Sequence, residues 1–365
     1  MDTTAGGSPD AAHAGLPCDA GTPDTPEPAA VRPHHGRTDA AGIVVLACCA
    51  IWVLVAAAGR SARPEGTLLA LLAVTAGYAA GRILGALLPV LAPATAAVAV
   101  LALVLIPPSR LSAPADSPPL GRPTADAALL VLAAGAACCA AWAAHGRVRR
   151  TLLRLTGLVA AVAAFALGSA AGFAAGIAIT LCSLAAARME RRRVLGLAGL
   201  ALAAALAVAG TYAVAAGTLP SGLSASLTGQ LTRPRVQVWH EAMAIAEHHP
   251  VRGVGPERFT EEAGALPTDV STPPAGAPRS APLQLAAEQG YPGVALLALA
   301  YGWVLCALWR SSRPTPVVLT AGAALTGLAL LATVDPVLSF AVVTAGAGFL
   351  AGVATARPLE ESPAG

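Results

Sequence analysis

The 365-residue chain has few charged side chains: Asp, Glu, Lys and Arg make up 12% of it, and lysine is absent altogether. An ordinary soluble domain carries about 25% charged residues, so this shortage excludes a typical water-soluble fold. Aromatic residues are also scarce, at 4%, and the net charge of +3 is too small to indicate nucleic-acid binding. The chain is instead 56% hydrophobic, which is typical of a polytopic membrane protein.

The seven cysteines give no sign of a disulfide framework or of a metal site. Six of them lie inside apolar runs, and Cys18 lies in a polar N-terminal segment. The one long polar segment between the hydrophobic runs contains none. We therefore expect the cysteines to act as small hydrophobic residues, and we expect no cofactor and no metal.

Apolar runs of the length of a membrane span recur along most of the chain. They fall at about 42–58, 66–81, 83–107, 127–144, 152–168, 170–187, 194–216, 289–309, 316–334 and 336–356. A transmembrane helix needs roughly 20 residues, so the sequence predicts an all-α polytopic membrane protein with about ten transmembrane helices. The weakest division is at Gly81-Arg82. Arg82 is either an intramembrane cation that faces a cavity or a carboxylate, or the mark of a short cytoplasmic turn.

These runs divide the chain into five parts. Residues 1–40 are rich in Pro, Asp, Gly and Thr and predict a disordered cytoplasmic tail. Residues 41–216 hold helices 1–7, residues 217–287 form one large polar loop, and residues 288–357 hold helices 8–10. Residues 358–365 form a second cytoplasmic tail, and Asp335, followed by Pro336, breaks the chain between the last two helices at the outer surface.

The distribution of arginine predicts the orientation of the chain. Three basic loops should face the cytoplasm by the positive-inside rule. Their arginines are Arg147, Arg149 and Arg150; Arg188, Arg191, Arg192 and Arg193; and Arg310 and Arg313. With ten spans and both termini in the cytoplasm, all three loops comply and loop 217–287 is extracytoplasmic. Arg60 and Arg63 then lie outside, against the rule.

The large loop predicts one short amphipathic helix and one tight turn. Apolar residues recur at helical spacing over about 235–248, and Pro250 ends the pattern. We interpret Trp239, which lies on this helix, as an interfacial anchor rather than a platform for sugar stacking. The turn Gly253-Val254-Gly255-Pro256 follows. Five loop glutamates are interpreted as solvated charges: Glu241, Glu247, Glu257, Glu261 and Glu262.

Two blocks of this loop resemble the signature of the O-antigen ligase and O-antigen polymerase family. The first block reads Arg235-x-x-x-Trp239-x-x-Ala242, then His249-Pro250-x-x-Gly253-Val254-Gly255-Pro256-x-x-Phe259. The second block reads Leu283-Gln284-x-x-Ala287-Glu288-x-Gly290-x-x-Gly293. The resemblance implies a membrane glycosyltransferase of the GT-C type that needs no metal. Such an enzyme moves a glycan from polyprenyl pyrophosphate to an acceptor sugar hydroxyl at the outer membrane face.

The resemblance also implies which residues form the site. Arginines of the family bind the pyrophosphate, whose negative charge grows as it leaves. Arg235 occupies the matching position of the first block, and we expect Arg252 and Arg279 to add phosphate contacts. The loop would be shaped by four further residues: Trp239, Gly253, Gly255 and Gly290. The expected partners are the lipid-linked donor, a glycan or lipid acceptor and the membrane lipids.

One departure from the family pattern affects the catalytic base. The family usually has His-Asn or His-Ser four residues before the Leu-Gln pair, where this chain has Arg279-Ser280. Arginine cannot accept a proton near neutral pH. Glu288 or another carboxylate could take over as base, His248 or His249 could reach the site, or the activity could be lost. A leaving group as good as pyrophosphate could also need little help from a base, and Arg279 is then a candidate catalytic residue through a second phosphate contact.

Other functions remain open at this point. A transporter or flippase of lipid-linked glycans would predict internal repeats, interrupted helices or charged residues at the membrane midplane. The sequence shows no clear repeat, and Arg82 is the one suggestive charge. A catalytically inactive membrane scaffold of the same family is the third possibility. A peptidoglycan polymerase of the shape, elongation and division family fits the predicted topology but fits the loop less well.

Overall fold

The computed structural model describes residues 36–106, 123–188, 192–218, 233–259, 261 and 279–357. Nearly all of these residues are helical, and no β-strand occurs among them. The α-helices are α1 (Gly36–Ala57), α2 (Glu65–Leu87), α3 (Leu91–Leu105), α4 (Pro123–Ala143), α5 (Arg147–Ala166), α6 (Ala170–Ala186), α7 (Arg193–Ala215), α8 (Arg233–His248), α9 (Ala281–Arg310), α10 (Thr315–Val334) and α11 (Ala341–Thr355). A short 3₁₀ helix, Val337–Ser339, joins α10 to α11. The predicted all-α fold is confirmed.

Six of the described helices are long and apolar enough to cross a membrane. They are α1 from Thr38, α2, α4 from Thr124, α7, α9 and α10. Helices α3, α6 and α11 are apolar but shorter, at 15 to 17 residues. The membrane character that the composition predicts is supported, whereas the count of ten spans stays a prediction.

The division expected at Gly81-Arg82 is wrong. Helix α2 continues through both residues to Leu87, and the break follows at Leu88. Pro89 explains its position, because proline has no backbone N–H and disfavours helical geometry in the residue before it. Gly81 lies inside the helix because another helix packs directly against it.

The close contact between α2 and α11 depends on glycines that face each other. A Cβ atom added to Gly77 or Gly81 would lie 2.1 or 2.2 Å from a backbone carbonyl oxygen of α11. A Cβ on Gly348 or Gly352 would lie 2.3 Å from an oxygen of α2. Small residues four positions apart let two membrane helices approach this closely, which gives extensive van der Waals packing where lipid offers no hydrophobic driving force.

Helix α1 begins earlier than the sequence predicts. Residues 36–40, assigned to the disordered tail, form its first turn, and residues 1–35 lie outside the described part of the chain. Asp39 in that turn binds Arg82, with Nη1 at 2.8 Å from Oδ1, and the same Nη1 is 3.1 Å from the Tyr78 hydroxyl. Arg82 therefore faces a carboxylate, as one of the two interpretations predicts, and does not mark a turn.

The two ends of the helix bundle have different contacts. At the loop end, where α8 lies and α9 begins, Arg60 Nη1 donates to the carbonyl of Gly253 at 2.6 Å, and the Arg63 N–H donates to that of Pro256 at 3.3 Å. The two arginines that break the positive-inside rule thus contact the large loop. At the opposite end, Arg193 donates to the carbonyl of Ser311 at 3.0 Å.

The predicted tail 358–365 lies outside the described residues, as do loop residues 219–232, 260 and 262–278.

Candidate active site

Helix α8 forms a small apolar core with the first turns of α9. Trp239, at 2% exposure, is the largest side chain in it. The other buried members are Ala215, Ala242, Ile245, Val254, Phe259, Leu283 and Ala287. The predicted amphipathic helix is confirmed, and its apolar face turns toward the protein. The interpretation of Trp239 as an interfacial anchor is wrong, because its ring is enclosed by α7, α8 and α9.

Helix α9 is broken at Gly290, which has φ 72° and ψ −175°. In a continuous helix, residue 291 would donate its N–H to the carbonyl of Ala287, and residue 292 would donate to that of Glu288. Residue 292 is proline and has no N–H. The break therefore frees backbone carbonyls at a buried position, where they need other donors.

The turn that begins at Gly253 supplies those donors. The N–H of Val254 donates to the Ala287 carbonyl at 2.9 Å, and the N–H of Gly255 donates to the Glu288 carbonyl at 2.8 Å. In return, the N–H of Tyr291 donates to the carbonyl of Pro250 at 2.9 Å. A Cβ on Gly253 would lie 2.3 Å from the Glu288 carbonyl carbon. The loop is thus bound to the broken helix by backbone contacts that leave no room for a side chain.

Arg235 and Asp335 form an ion pair at the loop end. The distance from Arg235 Nη2 to Asp335 Oδ1 is 3.9 Å, and the two side chains are 25% and 20% exposed. Asp335 directly follows the last residue of α10. Burial raises the pKa of the Asp335 carboxyl, and the positive charges of Arg235 and Arg279 partly offset that rise. The structure therefore pairs Arg235 with the carboxylate that follows α10, and Arg279, a second residue predicted for the site, lies close enough for its charge to act on that carboxylate.

The two arginines keep donors available for a ligand. Among the described residues, neither guanidinium has a hydrogen-bond partner, and the contact of Arg235 with Asp335 is too long for a hydrogen bond. Arg279 is exposed. A guanidinium carries five N–H groups in a planar fork that suits phosphate oxygens. This cluster can bind a phosphate group without breaking another hydrogen bond of the described residues.

Arg252 and Glu288 lie in different surroundings. Arg252 Nη2 donates to the carbonyls of Val55 and, at 3.0 Å, Ala58 at the C-terminal end of α1. Glu288 is 5% exposed, and its Oε1 accepts a hydrogen bond from Gln284 Nε2 at 3.1 Å. Among the described contacts, neither residue meets Arg235 or Arg279. The structure thus brings together two of the predicted phosphate-binding arginines but not the third.

Sequence reasoning missed two acidic residues. The sequence pattern indicates only a chain break at Asp335, although this is the one acidic residue between 289 and 357. A lone carboxylate at the outer end of a span was a usable signal for an arginine partner in the loop. Glu241, interpreted as a solvated charge, is 8% exposed, and burial raises its pKa. Within the described part of the chain, no three His, Cys, Asp or Glu side chains lie close enough to hold a metal ion.

These observations define a helical membrane protein with a basic, partly exposed cluster at one end of the bundle. Residues 155–298 match the family described as O-antigen ligase. The matched segment runs from α5 into α9 and contains Arg235, Arg279 and Gly290, whereas Asp335 lies beyond it. The match supports assignment of the chain to the O-antigen ligase family, confirms the resemblance of the two loop blocks and indicates glycan transfer in general. No curated protein matches the chain.

Proposed function

We propose that the chain is a glycosyltransferase that moves a glycan from polyprenyl pyrophosphate to an acceptor sugar hydroxyl, as a ligase or as a polymerase. The observation that carries the proposal is the ion pair of Arg235 with Asp335, whose carboxyl also feels the charge of Arg279. Both arginines lie inside the segment that matches the O-antigen ligase family. The partners would be the lipid-linked donor, a glycan or lipid acceptor and membrane lipids.

The cluster suits a departing pyrophosphate. As the acceptor oxygen bonds to the anomeric carbon, negative charge develops on the phosphate oxygen that leaves, and preorganised cations stabilise that charge. Arg235 lies in the first turn of α8, and Arg279 precedes Ser280, the N-cap of α9. A helix N-terminus carries a partial positive charge. Two helix ends and two guanidinium groups therefore add positive potential at the same place.

The remaining predicted residues would support this cluster. Gly253, Gly255 and Gly290 would shape the loop through the backbone contacts to α9, and Trp239 would fill the core beneath Arg235. Arg252 would bind the loop to α1 rather than to the donor, because its guanidinium contacts helix carbonyls. Glu288 would act within the loop anchor rather than at the reacting carbon.

We place the loop end at the extracytoplasmic face of the bacterial cytoplasmic membrane, with both termini in the cytoplasm. Arg193 and Arg313 support this orientation, because both bind carbonyls at the opposite end of the bundle. Arginine is enriched at the cytoplasmic end of membrane helices. Donor glycans that have already crossed the membrane would meet the cluster directly.

The test is surface-glycan profiling of a deletion strain that is complemented at matched membrane levels. Wild type and the control variant Arg258→Ala should restore the missing glycan. Arg258 is another arginine of the loop, and it pairs with Glu261 at 3.2 Å rather than with the cluster. Arg235→Ala and Arg279→Ala should each lower glycan transfer by about 100-fold or more.

Two results would contradict the proposal. Full restoration of the missing glycan by Arg235→Ala would show that the arginine cluster takes no part in the reaction. The leaflet in which the lipid-linked glycan accumulates in the deletion strain separates transfer from transport. Loss of a transferase should leave the donor in the outer leaflet, whereas accumulation in the inner leaflet would favour a flippase.

A further inference from the structure

We propose that Asp335 is the general base of this site: its carboxylate accepts the proton of the acceptor hydroxyl. The inference rests on the proposed transferase function and adds a residue that lies outside the segment matched by the family. Asp335 pairs with Arg235 at 3.9 Å and lies close enough to Arg279 for the charge of that arginine to lower its pKa; both arginines are proposed to hold the pyrophosphate.

Distance and exposure allow this role. The Asp335 carboxylate lies 3.9 Å from Arg235 Nη2, and its side chain is 20% exposed. The anomeric carbon of the donor is bonded to the bridging oxygen of the phosphate group whose charged oxygens the arginines would hold. The acceptor hydroxyl would approach that carbon from the side opposite the bond that breaks, and the proposal places the partly exposed Asp335 carboxylate beside it. Proton transfer requires contact at about 2.6–3.2 Å, or through one water molecule.

Binding of the donor would make the surroundings of Asp335 more negative, which favours uptake of a proton by its carboxylate. Before binding, Arg235 and Arg279 partly offset the effect of burial and hold the pKa of Asp335 lower than burial alone would. A bound pyrophosphate would neutralise both guanidinium groups and place negative charge beside the carboxylate. Nearby negative charge raises the pKa of a carboxyl. Asp335 would therefore become a stronger base only when the donor is present.

Other described carboxylates are less suited to this role. Glu288 accepts a hydrogen bond from Gln284 in the loop anchor. Asp39 binds Arg82 at the opposite end of the bundle. Glu241 is buried on α8 and has no hydrogen-bond partner among the described residues. Among the carboxylates that the structure describes, only Asp335 combines partial exposure with an ion pair to an arginine of the cluster.

The proposed step is balanced without a further reactant. The acceptor oxygen forms a bond to the anomeric carbon, while the bond between that carbon and the phosphate oxygen breaks. The electron pair of the broken bond leaves with the polyprenyl pyrophosphate. The hydroxyl proton passes to the Asp335 carboxylate and then to water.

The test uses the full chain and compares Asp335→Asn and Asp335→Glu with the control Glu247→Gln. Glu247 is an exposed carboxylate of α8 outside the cluster. Geranylgeranyl pyrophosphate serves as the binding probe for the purified protein in detergent. Transfer is measured as a function of pH in membrane vesicles of the complemented deletion strain, which contain their own donor.

Asp335→Asn should bind the probe a few-fold more tightly than wild type, because an anion that competes for the arginines is gone. Transfer should nevertheless fall by about 100- to 10,000-fold. The wild-type rate should drop on the acid side as Asp335 takes up a proton, and this drop should be absent from the residual rate of Asp335→Asn. Asp335→Glu should recover part of the activity, and Glu247→Gln should match wild type.

Either of two results would overturn the inference. Asp335→Asn could retain transfer within about threefold of wild type, or it could lose probe binding together with transfer, which is the behaviour of a structural residue. Failure of the proposed function would look different. In that case wild type itself would bind no probe, and its vesicles would transfer no more glycan than those of the deletion strain.

Discussion

Gly255 donates its backbone N–H to the carbonyl oxygen of Glu288 at 2.8 Å. This bond exists because α9 is broken two residues later and because Pro292 has no N–H to donate to that carbonyl. The next carbonyl, of Gln289, accepts the indole N–H of Trp52 at 3.1 Å. The broken helix, the turn of the large loop and the end of α1 therefore form one connected unit.

A single methyl group added at Gly290, where α9 is broken, should lower the stability of the fold. Gly290 has a positive φ, and an added Cβ would lie 2.6 Å from the carbonyl oxygens of Pro250 and Val251. We expect Gly290→Ala to lower the free energy of unfolding by about 1–3 kcal/mol, measured by thermal unfolding in detergent. Gly302→Ala is the matched control in the same helix, because no atom lies within 4 Å of its added Cβ. Equal stability of the two variants would contradict the prediction.

The glycine contact between α2 and α11 should not tolerate a large side chain. A Cβ on Gly81 would lie 2.2 Å from the carbonyl oxygen of Phe349. We expect Gly81→Leu to cost roughly 3 kcal/mol or more, since overpacking alone costs about 1–3 kcal/mol and here the obstacle is backbone. The measure is the folded fraction on size-exclusion chromatography. Gly199→Leu, on an exposed face of α7 with open space around it, should fold like wild type.

The alanine variants of Arg252 and Arg279 should distinguish an arginine that stabilises the fold from one that binds the ligand. Arg252→Ala removes hydrogen bonds to the end of α1 and should lower the free energy of unfolding by about 1–2 kcal/mol. Its affinity for geranylgeranyl pyrophosphate should stay within about twofold of wild type. Arg279→Ala should weaken that affinity about tenfold or more with little change in stability. If Arg252→Ala instead binds geranylgeranyl pyrophosphate more weakly and keeps its stability, the result would support the sequence-based prediction that Arg252 binds phosphate.

The buried Glu241 should make stability depend on pH. Burial raises its pKa, so the folded chain holds the proton more strongly than the unfolded chain. This contribution is complete below the unfolded pKa and is lost as the pH rises through the folded pKa. We expect Glu241→Gln to be more stable than wild type at neutral pH by about 1 kcal/mol or more, with the gain vanishing in acid. Thermal unfolding across this range is the measurement.

The exposed Glu247, also on α8, provides the control for that experiment. Glu247→Gln should not show the gain in stability of Glu241→Gln at neutral pH, because the Glu247 side chain is exposed in the folded chain. A gain in Glu247→Gln equal to that in Glu241→Gln would show that net charge rather than burial is responsible.

Local patterns predicted local structure well in this chain. The spacing of apolar residues predicted α8, and the two loop blocks predicted the family. The same reasoning failed where packing decides the outcome. Gly81 lies inside α2 because α11 packs against it, whereas Leu88-Pro89 ends the helix. Trp239 and Glu241 were assigned to water or lipid, because a pattern of apolar residues does not show what covers them.

The sequence by itself determined that this protein is helical and apolar and that its family signature lies in one polar loop. Hydropathy and motif spacing are local properties, so a single chain is enough to show them. Only the tertiary structure decided that Asp335 pairs with Arg235 and feels the charge of Arg279, and that Arg252 instead binds the end of α1. This arrangement depends on how α8, α9 and α10 pack at the loop end. That packing is set by contacts between residues far apart in the chain, which no local pattern records.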